Sequence, residues 1–222
     1  MAGILYPPTS GPFGATGITS SSTRPQIPLR SICAGYGCVM PIEKNMEVNI
    51  CTDEHVLIKS IENLSLKSRG IVSIDGVDGV GKSRLAYKIT KELSLPHIGI
   101  DTFVQEQQGG YINHIDYVRL SERIREDLIA YRLVILEGIC MEQVLKKICL
   151  NSYVRIYVKV IDSYGFWMDK IRFFPPEKSA DEVIAERKAK GFSLGHMEEI
   201  IRYHYICKPH ENADYIFERR KA

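Results

Sequence analysis

Gly76, Gly79, Gly81, Lys82 and Ser83 are spaced as a cradle for phosphate oxygens. The run Gly76-Val77-Asp78-Gly79-Val80-Gly81-Lys82-Ser83 fits G-x-x-x-x-G-K-[S/T], the P-loop pattern. Glycines let successive backbone N–H groups converge on one anion. A lysine at the seventh position can reach the β- and γ-phosphates, and the hydroxyl at the eighth is a ligand for Mg²⁺. The pattern carries weight only between a strand and a helix, and its surroundings supply both. Ile71-Val72-Ser73-Ile74-Asp75 is a short β-branched run that reads as a buried strand. Arg84 to Leu93 reads as a helix, with Leu85, Ile89 and Leu93 recurring every four residues. A helix N-terminus behind the glycines adds its dipole to the trap. The chain is therefore expected to bind ATP or another nucleoside triphosphate with Mg²⁺. The contacts expected are Gly76, Val77, Asp78, Gly79, Val80, Gly81, Lys82, Ser83 and the adjoining Arg84.

Positioning that cradle requires a layered domain. The pattern predicts a helix over 52–66, a strand over 96–101, a helix over 115–130 and a strand over 133–138. It continues with a helix over 141–149, a strand over 153–160, helices over 163–174, 179–190 and 193–206, and a last strand at 215–217. Ser179 with Glu182 makes a capping-box start for the second of those three helices. Strands alternating with helices specify an α/β fold: a P-loop NTPase-type parallel five-stranded sheet with helices on both faces and a small helical lid around 172–192. Ligands in such sheets sit beyond the carboxyl ends of the strands. Asp75, Asp101 and Glu137 all close predicted strands, so the three acids are expected at one rim beside the loop.

Composition narrows the setting. The chain has 222 residues, 45% hydrophobic and 25% charged, which suits one globular domain with a tail. A net charge of +2 argues against a nucleic-acid partner. No apolar run approaches the ~20 residues that cross a bilayer, so no membrane association is expected and a cytoplasmic location is. Residues 1–45 are rich in Pro, Gly, Ser and Thr, with no acid before Glu43. They are expected to be disordered or loosely packed, and Arg24 and Arg30 among so few acids give a faint likeness to an organellar leader. The domain that holds the P-loop is expected over 46–222. Six cysteines form no C-x-x-C pair, and Cys140, Cys149 and Cys207 read as small core residues.

Three classes of enzyme use this loop. A guanine-reading N-K-x-D is absent, and the third strand closes on Glu137-Gly138 rather than the aspartate of a motor or transport ATPase. A small-molecule kinase remains. From about Gly70 to Glu218 the chain resembles the uridine kinase and phosphoribulokinase group of P-loop kinases. The likeness is carried by the loop, by Ile100-Asp101-Thr102-Phe103, by Val134-Ile135-Leu136-Glu137-Gly138, and by a stretch from Glu186-Arg187-Lys188-Ala189-Lys190-Gly191 through Tyr205 and Pro209 to Ala213-Asp214-Tyr215-Ile216. The lid differs in having Arg187 beside lysines where the group has several arginines.

The resemblance implies a small hydroxylated acceptor, a nucleoside or related metabolite, phosphorylated from a nucleoside triphosphate. It implies Asp101 as the base for the accepting hydroxyl, Lys82 and Arg187 as the other catalytic groups, and Glu137 beside Ser83 at the metal. Phe103, Tyr111 and His114 are the acceptor-side candidates with Asp101. Two alternatives stand beside it. Asp101 could instead cap the segment that follows its strand, and the whole chain could be a nucleotide-binding regulatory module with weak or no kinase activity.

Overall fold

A glycine loop can hold a charged ligand only if the strand behind it is rigid, and Gly70–Asp75 is buried along nearly its whole length. In the computed structural model, residues 48–66, 68–105 and 110–220 are described. The expected N-terminal segment, 1–45, lies outside them. In chain order the elements are β1 (Asn49–Cys51), α1 (Glu54–Ser65), β2 (Gly70–Asp75), α2 (Lys82–Leu93), β3 (His97–Gly99), α3 (Tyr117–Ala130), β4 (Leu133–Glu137), α4 (Met141–Lys147), β5 (Val154–Ile161), α5 (Met168–Phe173), α6 (Ala180–Ala189), α7 (Met197–Cys207) and β6 (Tyr215–Arg220).

The strands form one parallel sheet in the order β1-β6-β5-β2-β4-β3. Every residue of β4 is buried, as a strand covered on both faces requires. After β2 the chain crosses to the edge strand β3, returns through β4, and then continues on the other side of β2 with β5. That reversal opens a crevice at the carboxyl end of β2, where the glycine loop begins. Leu85, Ala86 and Ile89 of α2 and Leu57, Ile58 and Ile61 of α1 are buried, in keeping with their helical spacing. Asp53 starts α1 by accepting the His55 N–H at 2.8 Å.

The sheet has six strands, not the expected five. The additional β1 is three residues long and pairs Asn49, Ile50 and Cys51 with Tyr215, Ile216 and Phe217 of β6. A run that short, with Ile50 62% exposed, has no apolar rhythm of its own and exists as a strand only because β6 offers an edge. Several boundaries also differ, and the last strand runs on to Arg220. The strand expected over 96–101 stops at Gly99, and Ile100–Phe103 forms a 3-10 turn, so Asp101 lies just past the strand end. The helix expected over 163–174 is only Met168–Phe173, because the Asp162 carboxylate accepts the N–H groups of Tyr164 and Phe166 at 2.9 and 2.8 Å and makes a turn there. The helix expected from 193 starts at Met197. The Ser179–Glu182 capping box is formed. Cys140 is buried, but Cys149 is exposed, at odds with a core role.

Beside β5, an aromatic and histidine layer joins the lid to the sheet. Tyr157 donates its O–H to His204 Nε2 at 2.7 Å, and His204 Nδ1 donates to the Ile200 carbonyl at 2.7 Å. Phe174 stacks on His204 with centroids 4.3 Å apart, and His210 meets the Trp167 ring edge-on at 5.0 Å. Burial pushes both histidines down to about 4. Unfolded imidazoles titrate near ~6.5, so between these values the unfolded chain holds two extra protons and stability falls as pH falls. Asp75, raised to about 6 by burial, acts oppositely between its unfolded value and 6. From pH ~6 to ~4 these three groups leave a net loss of about one proton's worth, ~1.4 kcal/mol per pH unit. His210→Phe should cancel that share and flatten their contribution, which denaturant titrations of both proteins across this range would read.

Candidate active site

The loop sits on a buried carboxylate. Asp75 Oδ1 accepts the N–H of Gly76 at 2.7 Å, and Oδ2 accepts the N–H of Met141 at 3.2 Å and the phenol O–H of Tyr203. Val77 and Val80 turn their side chains into the core, which leaves Asp78 and Gly79 facing outward. Gly81 has φ +92°, a left-handed backbone that favours glycine, and the tip of the Arg219 side chain lies where a Cβ would stand. Arg219 reaches in from the end of β6 and donates to the Val80 carbonyl, bracing the loop from its outer side. Helix α2 starts at Lys82 with no side-chain cap and no acid in its first turn. Its leading N–H groups therefore remain available to an anion. Lys82 is buried and donates Nζ to the Val77 carbonyl at 2.9 Å, lying across the loop.

Glu137 closes β4 beside this loop. Burial would raise its carboxyl, but His97, the Ser83 hydroxyl and the Lys82 charge hold it below its ordinary value. His97 Nε2 stands 3.6 Å from Oε1. Gly99 of β3 is the register partner of Glu137, and a Cβ on it would come within 3.0 Å of the same oxygen. An ionised carboxylate in the neighbourhood of a serine hydroxyl is a donor set that suits Mg²⁺, which binds through one or two carboxylates, water and substrate phosphates. Among the described residues no three His, Cys, Asp or Glu side chains gather as a ready metal cage, so phosphate oxygens would have to complete the shell.

Asp101 follows directly from Gly99 and Ile100 and is exposed. Its Oδ1 accepts the O–H of Tyr111 at 2.8 Å. Burial and the Asp101 charge keep that phenol protonated, so it serves as a fixed donor. The approach needs Gly138, because a Cβ there would crowd Ile100 and come within 3.1 Å of the Tyr111 oxygen. The loop between is closed by an antiparallel bridge of Val104 with Ile115. Phe103 is buried beneath the Arg119 guanidinium, 5.1 Å from its ring centre, and packs rather than opening to a ligand. His114 lies in the same loop, its ring next to Gly110. Arg84 is exposed and lines a shallow cleft with Asp53, His55 and Arg219.

Arg187 is not brought to the loop. Its guanidinium lies 4.4 Å over the Phe173 ring and donates to the Arg172 carbonyl at 2.8 Å, so its contacts are spent within the lid. Residues absent from the expected set also reach this region. Tyr203 and Glu199 come from α7, where Glu199 Oε2 accepts the N–H groups of Tyr111 and Ile112 at 2.6 and 3.2 Å. Arg219 and His97 are the others. The spacing of 199 and 203 on one helix face was a usable signal, whereas nothing local marks Arg219 or His97.

No protein-family model matches the chain, and no curated protein matches it. Solved structures similar to it include that of a possible uridine kinase from Bacillus stearothermophilus, at 13% identity and a TM-score of 0.44, covering 74% of this chain and 96% of that one. Shikimate kinase from Bacteroides thetaiotaomicron gives 17% identity and a TM-score of 0.31, covering 67% of this chain and 85% of that one. The α/β P-loop assignment rests on the strand order and loop geometry of this chain itself.

Tyr203→Phe tests how far the loop depends on its buried carboxylate. Asp75 titrates at about 6, so it is ionised near neutral pH and neutral in mild acid. Removing the phenol donor from the ionised form should cost about 1–3 kcal/mol at pH ~8 and clearly less at pH ~5. Urea unfolding of the variant and the parent at both pH values measures the difference.

Proposed function

We propose that the protein is a small-molecule kinase of the uridine kinase-like type. It would transfer the terminal phosphoryl group of ATP, or another nucleoside triphosphate, to a hydroxyl of a nucleoside or related metabolite. The observation that carries this reading is the Asp101–Tyr111 pair at the same end of the sheet as Glu137, the register partner of Gly99. A module that only binds nucleotide has no use for an exposed carboxylate oriented by a buried phenol.

Phosphoryl transfer passes through a loose transition state, so catalysis is mainly positioning and charge neutralisation. The backbone N–H groups from Gly79 to Ser83 and the Lys82 ammonium would hold the triphosphate. Moving Lys82 onto phosphate exchanges one neutral acceptor, the Val77 carbonyl, for a charged one, which favours the change. Ser83 and Glu137 would hold Mg²⁺, whose bound charge neutralises phosphate oxygens. Asp101 would accept the proton of the acceptor hydroxyl as its oxygen bonds to phosphorus and the bond to the leaving diphosphate breaks. Tyr111 fixes one oxygen of Asp101 and leaves the other free for that hydroxyl. Arg187 would have to leave its aromatic seat to act on phosphate, so of the expected catalytic groups it has the least support from the geometry.

Pure protein incubated with labelled ATP, Mg²⁺ and a panel of nucleosides, sugars and other small alcohols should yield a labelled acceptor. Asp101→Asn should lower kcat by about 10²-fold or more while nucleotide affinity stays within about twofold. Lys82→Ala should lose nucleotide binding with the fold intact. Slow hydrolysis with no labelled acceptor would favour the regulatory-module reading, and near-normal kcat in Asp101→Asn would remove that residue from the base role.

A further inference from the structure

Three polar side chains on one face of α7, from its N-cap to its middle, point at three different parts of the site. Tyr203 donates to Asp75 beneath the loop, and Glu199 accepts from the backbone of Tyr111 and Ile112. His196, the residue that caps the helix, places Nε2 against Oδ2 of Asp78. The separations of three and four residues put all three on one face of the helix. Asp78 is the third residue of the glycine loop and faces outward between Val77 and Val80, which are buried. His196 therefore stands at the outer lip of the phosphate cradle. A carboxylate only accepts hydrogen bonds, so Nε2 of His196 carries the hydrogen and donates.

Several other cations of this region are engaged elsewhere. Arg187 is seated between the Phe173 and Phe192 rings, 4.4 and 5.8 Å from their centres. Lys178 pairs with Glu186, Lys188 with Glu198 and Arg202 with Asp181 at 2.6 to 2.7 Å. His196 differs from these in that its partner belongs to the loop. Its pair with Asp78 is about half exposed on both sides, so a stronger anion can compete for the same donor. Gly191 and Gly195 flank the segment leading to it, with φ +81° and +47° and open space where a side chain would stand. Between them Leu194 packs against Val183, Ile184 and Ile201, so a shift of His196 would turn on the glycines and leave that anchor in place.

We propose that His196 is the phosphate-contacting residue of the lid: it leaves Asp78 and donates to the terminal phosphate of a nucleoside triphosphate seated in the cradle. The inference rests on the nucleotide-binding part of the reading above and is independent of which acceptor is used. It makes the site distinguish triphosphate from diphosphate, because a diphosphate does not extend to the lid.

Affinities of the full chain for Mg²⁺-ATP and Mg²⁺-ADP, measured by calorimetry, test it without an acceptor. His196→Ala should weaken ATP binding about tenfold, equivalent to ~1.4 kcal/mol, with ADP affinity changed less than about twofold. His196→Arg should restore the ATP preference. Asp78→Asn removes the competing anion and should tighten ATP binding. Equal weakening in His196→Ala and Asp78→Asn would make the pair a structural tie only and would overturn the proposal. So would unchanged ATP affinity in His196→Ala, or equal losses for ATP and ADP. Absence of triphosphate binding by the unsubstituted protein would overturn this proposal and the kinase reading together, whereas ATP binding with no His196 effect overturns this one alone.

Discussion

A carboxylate buried directly beneath an anion-binding loop is a poor arrangement unless it is fully hydrogen-bonded, and Asp75 is. Burial raises its carboxyl to about 6, against the opposing pull of Tyr203, Gly76, Lys82 and Met141. The balance leaves it ionised near neutral pH while its donors come from three places: the loop, the start of α4 and the middle of α7. Each of those segments is thereby located relative to the others. The first N–H of the loop is committed to Asp75, so the turn that follows has a fixed starting direction. The glycines then set the rest of its path.

The same helix that completes the Asp75 cluster reaches the acceptor wall and the loop's lip. Tyr111 donates to Asp101 through its phenol and to Glu199 through its N–H, so α7 is tied to the loop that carries Asp101. One helical turn separates Glu199 from His196 at the donor side. The segment between α6 and α7 turns at two left-handed glycines. The base of the lid has much less freedom, since Phe174 and Trp167 are stacked into the layer made by Tyr157, His204 and His210. Closure would therefore bend the outer part of the lid over a fixed root.

Features encoded by neighbouring residues were the ones legible in advance. The loop, the strand before it, the buried stripe of α2 and the Ser179–Glu182 box all depend on contacts a few residues apart. Asp101 was legible to within one turn: its strand ends at Gly99, and a 3-10 turn carries it to the rim. The three-residue β1 was not, because its strand character comes from pairing with residues far along the chain. Arg187 was misleading for a related reason. Its position in the lid follows from sequence order, but the direction of its guanidinium is decided by Phe173 and Phe192.

By itself, then, the order of residues determined that a glycine-rich turn would join a buried strand to a helix carrying Lys82 and Ser83. Local backbone sterics and apolar rhythm require nothing from elsewhere. Only the folded chain decided that Tyr203 would clamp Asp75, that Glu137 would stand beside His97, that Arg219 would fill the space at Gly81, and that His196 rather than Arg187 would touch the loop. Those contacts join residues separated by dozens of positions. Which of them form depends on how the sheet orders its strands and where α7 crosses the carboxyl rim.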